Sequence, residues 1–234
     1  MSEVIKKPLR VGAFSGGLAA RTKAAAEQMA IEKPIDPRTI VTLKPEEMPE
    51  RIGIVMDDSG SMSGQQMKDA HDGIEEFLRC CKPTTTSVAI YPMNAEPIRL
   101  NTTLPQTAIM VKKIRATDRT PLLETLVSLK KNEPITRAIV FSDGSPDNQI
   151  DFEKICSQFK ESNIPVDTVY IASTYENTDA EDFMKKLADL TGGIYMKFEA
   201  GKSTFKNSFK YLAPVNRAML MNADIKAKVE RGEM

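Results

Sequence analysis

Histidine occurs once in this chain of 234 residues and cysteine three times, two of the cysteines being adjacent. A lone imidazole, His71, cannot build a histidine-cluster zinc site, and nothing places it as the base of a Ser-His-Asp triad. Cys80, Cys81 and Cys156 do not make a disulfide framework; they fall in helical patterns and read as buried or half-buried thiols. An excess of one charge is also missing, since 32 Lys and Arg face 32 Asp and Glu. That balance argues against a module built to neutralise nucleic-acid phosphates. No apolar run approaches the roughly 18–20 residues that span a bilayer, and the opening Met-Ser-Glu-Val-Ile-Lys-Lys-Pro lacks the apolar stretch of a secretory signal. No nucleic-acid partner and no membrane span are expected, and the expected location is the cytoplasm. Internal repeats and low-complexity runs are absent.

What is present suits one well-packed domain with extensions, because chains of this size bury roughly 70% of their unfolded surface. Residues 1–49 read as an N-terminal arm, with Gly16-Gly17 and prolines at 8, 34, 37, 45 and 49. A helix over 19–30 and a short strand over 40–43 fit its composition, without a strong amphipathic repeat in either. This arm either lies along the main domain or is partly disordered, or it serves a partner or an assembly.

From Arg51 the pattern alternates. Ile52-Gly53-Ile54-Val55-Met56 has no polar side chain, as expected of a central strand covered on both faces. Met67, Ala70, His71, Ile74, Phe77, Leu78 and Cys81 then return at helical spacing. Strands are predicted over 87–91, 97–100, 138–141, 166–171 and 194–198. Helices are predicted over 107–115 and 122–130, around Phe152 to Phe159, and around Phe183 to Leu190 up to the stop at Gly192-Gly193. Phe205, Phe209 and Leu212 suggest a closing helix before Pro214. Residues 218–228 fit one more helix or a fraying tail. Met219, Leu220 and Met221 suit packing on the domain and docking on a partner equally well. Short strands alternating with helices predict a mostly parallel sheet with helices on both faces.

Three polar clusters lie at strand ends or helix starts: Asp57-x-Ser59-x-Ser61, Thr120 and Asp143. Loops at the carboxyl ends of parallel strands form the ligand crevice of an open α/β sheet. Two acids and three hydroxyls are hard oxygen donors, which suit Mg²⁺ or Mn²⁺ and not zinc. In an extended segment Ser59 and Ser61 point to the same side, and Gly60 permits a tight turn between them. Hydroxyl ligands cancel none of an ion's charge, so a metal held by them keeps the power to recruit an acidic group from a partner.

At these residues the chain resembles the von Willebrand factor A domain family over roughly residues 50–212. Asp57-Asp58-Ser59-Gly60-Ser61-Met62 is similar to that family's Asp-x-Ser-x-Ser signature after a hydrophobic strand. Thr120 in Arg119-Thr120-Pro121-Leu122 and Asp143 in Phe141-Ser142-Asp143-Gly144 match its later threonine and distal aspartate. The resemblance implies a three-layer, Rossmann-like α/β sandwich whose central sheet is mostly parallel with one short antiparallel edge strand, here 97–100. It also implies a metal-ion-dependent adhesion site. Ser59, Ser61 and Thr120 would touch Mg²⁺ (or Mn²⁺), Asp57 and Asp143 would assist directly or through water, and a partner protein's Asp or Glu would complete the shell. Intracellular family members often work beside an ATPase or inside larger complexes, which implies a partner of that kind. Arg119 stands where a small residue is common; its guanidinium would crowd the site or pair with the incoming carboxylate. Residues 1–49 and the C-terminal extension 213–234 fall outside the resemblance.

The plainer reading makes Asp57 and Asp143 helix caps, the serines turn residues and Thr120 an N-cap. All five coinciding in order and context outweighs it. Enzyme readings lack essential parts, so no enzymatic activity is expected. A haloacid-dehalogenase-like phosphatase needs an acid where Ser59 stands. A receiver domain needs its acids closer together in the chain and a lysine near Ile171-Ala172-Ser173. Neither a phosphate-binding Gly-x-x-x-x-Gly-Lys loop nor a nucleophile elbow occurs. The expected function is metal-dependent recognition of another protein. The alternative is a structural or assembly protein whose N-terminal arm makes the functional contacts, with the metal only stabilising.

Overall fold

A computed structural model describes residues 49–117, 119–144, 146–172, 178–201 and 209–231. The helix expected over 19–30, the strand expected over 40–43, and Phe205 lie outside the described residues.

Five strands, β1 (Glu50–Met56), β2 (Thr86–Pro92), β3 (Arg137–Ser142), β4 (Val166–Ala172) and β5 (Tyr195–Glu199), form one sheet in the order β2-β1-β3-β4-β5, every pair parallel. Successive side chains on a strand point to opposite faces, and here both faces are covered. Ile52, Ile54, Met56, Ile90, Ile139, Phe141 and Ile171 belong to one buried cluster with α1 (Gln65–Cys80), α2 (Leu104–Val111) and the C-terminal segment. Val55, Tyr91, Val140 and Tyr170 belong to the other, under α3 (Leu122–Asn132), α4 (Phe152–Glu161) and α5 (Thr178–Thr191). The molecule is thus a three-layer α/β sandwich with a parallel central sheet, as expected. Among the described residues no helix is long and apolar enough to cross a membrane.

The antiparallel edge strand expected over 97–100 shrinks to one bridge, in which Ile98 and Ile90 exchange two backbone hydrogen bonds of 2.8 Å. A turn closed by the Thr102 N–H on the Arg99 carbonyl begins immediately afterwards and ends the pairing. α2 starts three residues before the predicted 107 and ends before 115. Gln106 Oε1 accepts from the Thr103 N–H (3.3 Å) and hydroxyl (2.8 Å), a capping arrangement, with Pro105 in the first turn. After Val111 the chain turns, yet Ile114 is still buried.

The predicted closing helix is a 3₁₀ turn, Phe209–Leu212, whose Phe209 stacks on Phe141 with ring centroids 4.7 Å apart. Gly73 of α1 leaves room for that ring, since a Cβ there would lie 2.7 Å from it. Beyond it come α6 (Pro214–Arg217), a 3₁₀ turn (Ala218–Met221) and α7 (Ala223–Arg231). Asn222 Oδ1 caps the start of α7 by accepting from the amides of Asp224 (3.0 Å) and Ile225 (3.2 Å). Leu220 and Val229 are buried in the core while Met219 is exposed, so the segment packs back on the domain.

An ion cluster at the amino end of the sheet ties this segment down. Asp167, fully buried on β4, accepts from Arg137 Nη1 of β3 at 3.1 Å and from Arg217 Nε and Nη2 of α6 at 2.9 and 2.8 Å. Arg137 Nη1 and Nη2 also donate to the Leu212 carbonyl, each at 3.0 Å. Removing one member of such a set leaves charge buried and unpaired, which costs about 3–5 kcal/mol. Asp167→Ala should therefore lose stability of that order in urea unfolding; a loss under about 1 kcal/mol would show that the cluster does not hold the C-terminal segment.

Candidate functional site

The parallel register of β1 and β3 sets Met56 beside Phe141, and the Asp57 N–H continues the ladder to the Phe141 carbonyl at 2.8 Å. The residues that follow, Asp57 on one strand and Ser142-Asp143 on the other, therefore leave the sheet side by side. Asp57 is fully buried. Its Oδ2 accepts a hydrogen bond from the Ser142 hydroxyl, and its Oδ1 accepts the Ser59 amide at 2.8 Å.

Ser59 is extended, but Gly60–Met62 is a 3₁₀ turn, so the two serines do not meet by strand alternation as expected. The turn does the work instead, closed by the Met62 N–H on the Ser59 carbonyl at 3.1 Å. It brings the hydroxyls of Ser59 and Ser61 to 3.0 Å. Gly60 suits the turn, because a Cβ there would lie 3.0 Å from the Thr117 carbonyl oxygen, a tight contact. Ser61 donates to Asp143 Oδ1 at 2.8 Å, and Gln66 Nε2 of α1 donates to Asp143 Oδ2 at 2.7 Å. Because the Ser61 proton is committed to Asp143, Ser59 must donate to Ser61, and the chain runs Ser59 to Ser61 to Asp143.

Asp57, Ser59, Ser61 and Asp143 are thus brought together. Thr120 is not bonded to any of them. Its loop is held from two other directions. The Thr120 N–H donates to Asp147 Oδ2 (3.1 Å), and the Asp147 N–H donates back to the Thr120 carbonyl (3.0 Å). Asn94 Nδ2 bridges the Arg119 carbonyl (2.7 Å) and Asp58 Oδ1 (2.9 Å). Arg119 is exposed, and its Nε lies 3.3 Å from Asp147 Oδ2, which draws the guanidinium to the loop.

Burial raises the pKa of Asp57, Asp58 and Asp143 above the usual carboxylate value, and the charge of Asp57 adds to the rise at Asp143. Asp57 and Asp143 form no ion pair with Lys or Arg among the described residues. Asp58 Oδ2 is buried with no hydrogen-bond partner among them. Among the described residues, no group of three or more His, Cys, Asp or Glu is placed to hold a metal. The oxygen groups gathered here are instead two carboxylates and serine hydroxyls.

Sequence reasoning missed Ser142, Gln66, Asn94 and Asp147. Ser142 and Asp147 flank Asp143, and Asn94 follows the carboxyl end of β2, so the strand-end rule applied to every strand finds three of the four. Gln66, on a helix, left no such signal. His71 is half-buried, and burial lowers its pKa. The cysteines are free thiols; burial pushes Cys81 up to about 12 and Cys156 up to about 11, which keeps both protonated and inert.

No family model and no curated protein matches the chain. Solved structures do. The SpRpn10 VWA domain aligns with a TM-score of 0.58 at 10% identity, over 73% of this chain and 98% of that one. The fold is von Willebrand factor A-like. Proximal thread matrix protein 1 from the mussel byssus aligns with a TM-score of 0.57 at 12% identity over 72% of this chain. This chain spans about half of that protein, 47% of its length. Manganese-loaded TRAP protein of Plasmodium vivax aligns with a TM-score of 0.55 at 14% identity, over 73% of this chain and 74% of that one. At such identities the likeness is one of fold.

A carboxylate whose pKa is raised on folding costs stability once pH exceeds its unfolded value of about 3.9, and costs nothing below it. Asp57→Asn keeps the size and removes the buried charge. In metal-free protein it should raise the thermal midpoint at pH 7 and leave it unchanged near pH 3. A lower midpoint at pH 7 would mean that the bonds from Ser142 and Ser59 favour the charged form more than burial disfavours it.

Proposed function

We propose that this chain is a non-enzymatic protein-binding module whose site at the carboxyl end of the sheet holds Mg²⁺ or Mn²⁺ and, through the ion, captures an Asp or Glu side chain of a partner protein. The observation that carries this reading is the convergence of Asp57, Ser59, Ser61 and Asp143 into one hydrogen-bonded array. Its two carboxylates, moreover, have no cationic partner among the described residues.

The donor chemistry fits a hard cation. With its proton given to Asp143, Ser61 keeps a lone pair after accepting from Ser59, and Ser59 keeps both of its own. Hydroxyl oxygens in that state are ligands, while Asp57 and Asp143 balance charge and orient water from behind them. Thr120, on the loop opposite, supplies the third hydroxyl. A bound ion supplies an electrophilic position open to a carboxylate from outside. Arg119 is drawn aside by Asp147, and its remaining N–H groups suit the same incoming carboxylate.

The test is isothermal titration of metal-stripped protein with Mg²⁺ and with Mn²⁺. Saturable binding near one ion per chain is expected, lost in Asp57→Ala with the fold intact by circular dichroism. Affinity should also fall as pH drops into the raised range of the carboxylates, where protons compete with the metal. Unchanged affinity in Asp57→Ala would overturn the assignment. Capture of an acidic peptide that EDTA does not reverse would overturn the metal-bridged mode of binding.

A further inference from the structure

Resting on the metal-site reading above, we infer that Asn94 and Asp147 are the positioning residues that deliver Thr120 to the site. Four of the site residues are joined directly, through Asp57 to Ser59, Ser59 to Ser61 and Ser61 to Asp143. Thr120 has no hydrogen bond to any of these, so its place depends on what grips its own backbone.

Asp147 closes a ring with it. One oxygen of Asp147 accepts the Thr120 amide at 3.1 Å while the Asp147 amide donates to the Thr120 carbonyl at 3.0 Å. Asn94 holds the residue before. Its side-chain amide reaches the Arg119 carbonyl at 2.7 Å, and it is itself fastened to Asp58 Oδ1, through its backbone N–H at 3.0 Å and Nδ2 at 2.9 Å. Asp58, fully buried beside Asp57, is the fixed post. Its carbonyl also accepts the Thr117 amide at 2.6 Å, a second tie on the same loop. The loop carrying Thr120 is thereby strung between the end of β1 and the segment after β3, the two places from which the other ligands come.

A positioning role and an electrostatic one make different demands on residue 147. Holding the Thr120 amide needs only an acceptor oxygen, which asparagine keeps. Attracting a cation needs the charge, which asparagine loses. Mn²⁺ and Mg²⁺ titrations of the wild type, Asn94→Ala, Asp147→Ala, Asp147→Asn, Thr120→Ala and the double variant Thr120→Ala with Asp147→Ala separate them. Hydrogen exchange at the Thr120 and Asp147 amides of the metal-free proteins gives a readout that needs no ion.

Asn94→Ala and Asp147→Ala should each weaken metal binding by roughly ten-fold or more, and should speed exchange at the Thr120 amide. Asp147→Asn should recover most of both. In the Thr120→Ala background Asp147→Ala should add little, because the two act through one hydroxyl. Asp147→Asn as weak as Asp147→Ala, or full additivity in the double variant, would overturn the inference by making Asp147 an electrostatic group. Wild-type affinity with unchanged exchange in Asn94→Ala and Asp147→Ala would overturn it as well. Absence of any ion binding by the wild type would instead bring down the metal-site reading itself.

Discussion

The candidate site depends on the parallel register between β1 and β3. With Met56 opposite Phe141, the ladder runs one step further to Asp57, and the two chains emerge as neighbours. A slip of one residue would turn Asp57 to the other face and separate it from Ser142. That register is enforced by burial on both sides. Ile52, Ile54 and Met56 must meet one layer of helices while Val55 meets the other, and a one-residue slip would reverse both. The hydrophobic core thus decides the geometry of a polar cluster at its rim.

The two ends of the sheet treat buried charge in opposite ways. At the amino end Asp167 lies between two arginines and a backbone amide, and the set fastens the C-terminal segment to the domain. At the carboxyl end Asp57 and Asp143 are gathered with hydroxyl, amide and carboxamide donors and no cation among the described residues. Hydrogen bonds stabilise these carboxylates only in part, and burial still raises their pKa. The domain is therefore stable where its charges are matched and carries a cost where they are not. A divalent cation bound there would relieve a mismatch of this kind.

Much of the sandwich was legible in the chain because its strands are short apolar blocks and its helices carry clean three- and four-residue spacing. The errors fall where a local bond overrode the pattern. The start of α2 was read late because apolar spacing hid the Thr103-Gln106 cap. The strand at 97–100 shrank to a bridge because the turn from Arg99 ends it. The closing helix became a 3₁₀ turn that stacks Phe209 on Phe141 across a space left by Gly73. A side-chain cap decided the first, a local backbone turn the second and a partner distant in sequence the third, and none of these leaves a periodic trace.

For the site, residue type and order determined the chemistry: oxygen donors only, at strand ends, in the sequence Asp57, Ser59, Ser61, Thr120, Asp143. That much follows from composition, because a ligand set without histidine or cysteine suits hard cations wherever it is placed. Only the tertiary structure decided which donors meet and what holds them. Ser142 locking Asp57, Gln66 reaching Asp143, and Asn94 with Asp147 gripping the Thr120 loop are contacts between segments 25 to 85 residues apart. Such contacts exist only once the sheet has set its register and the helices have closed over both faces.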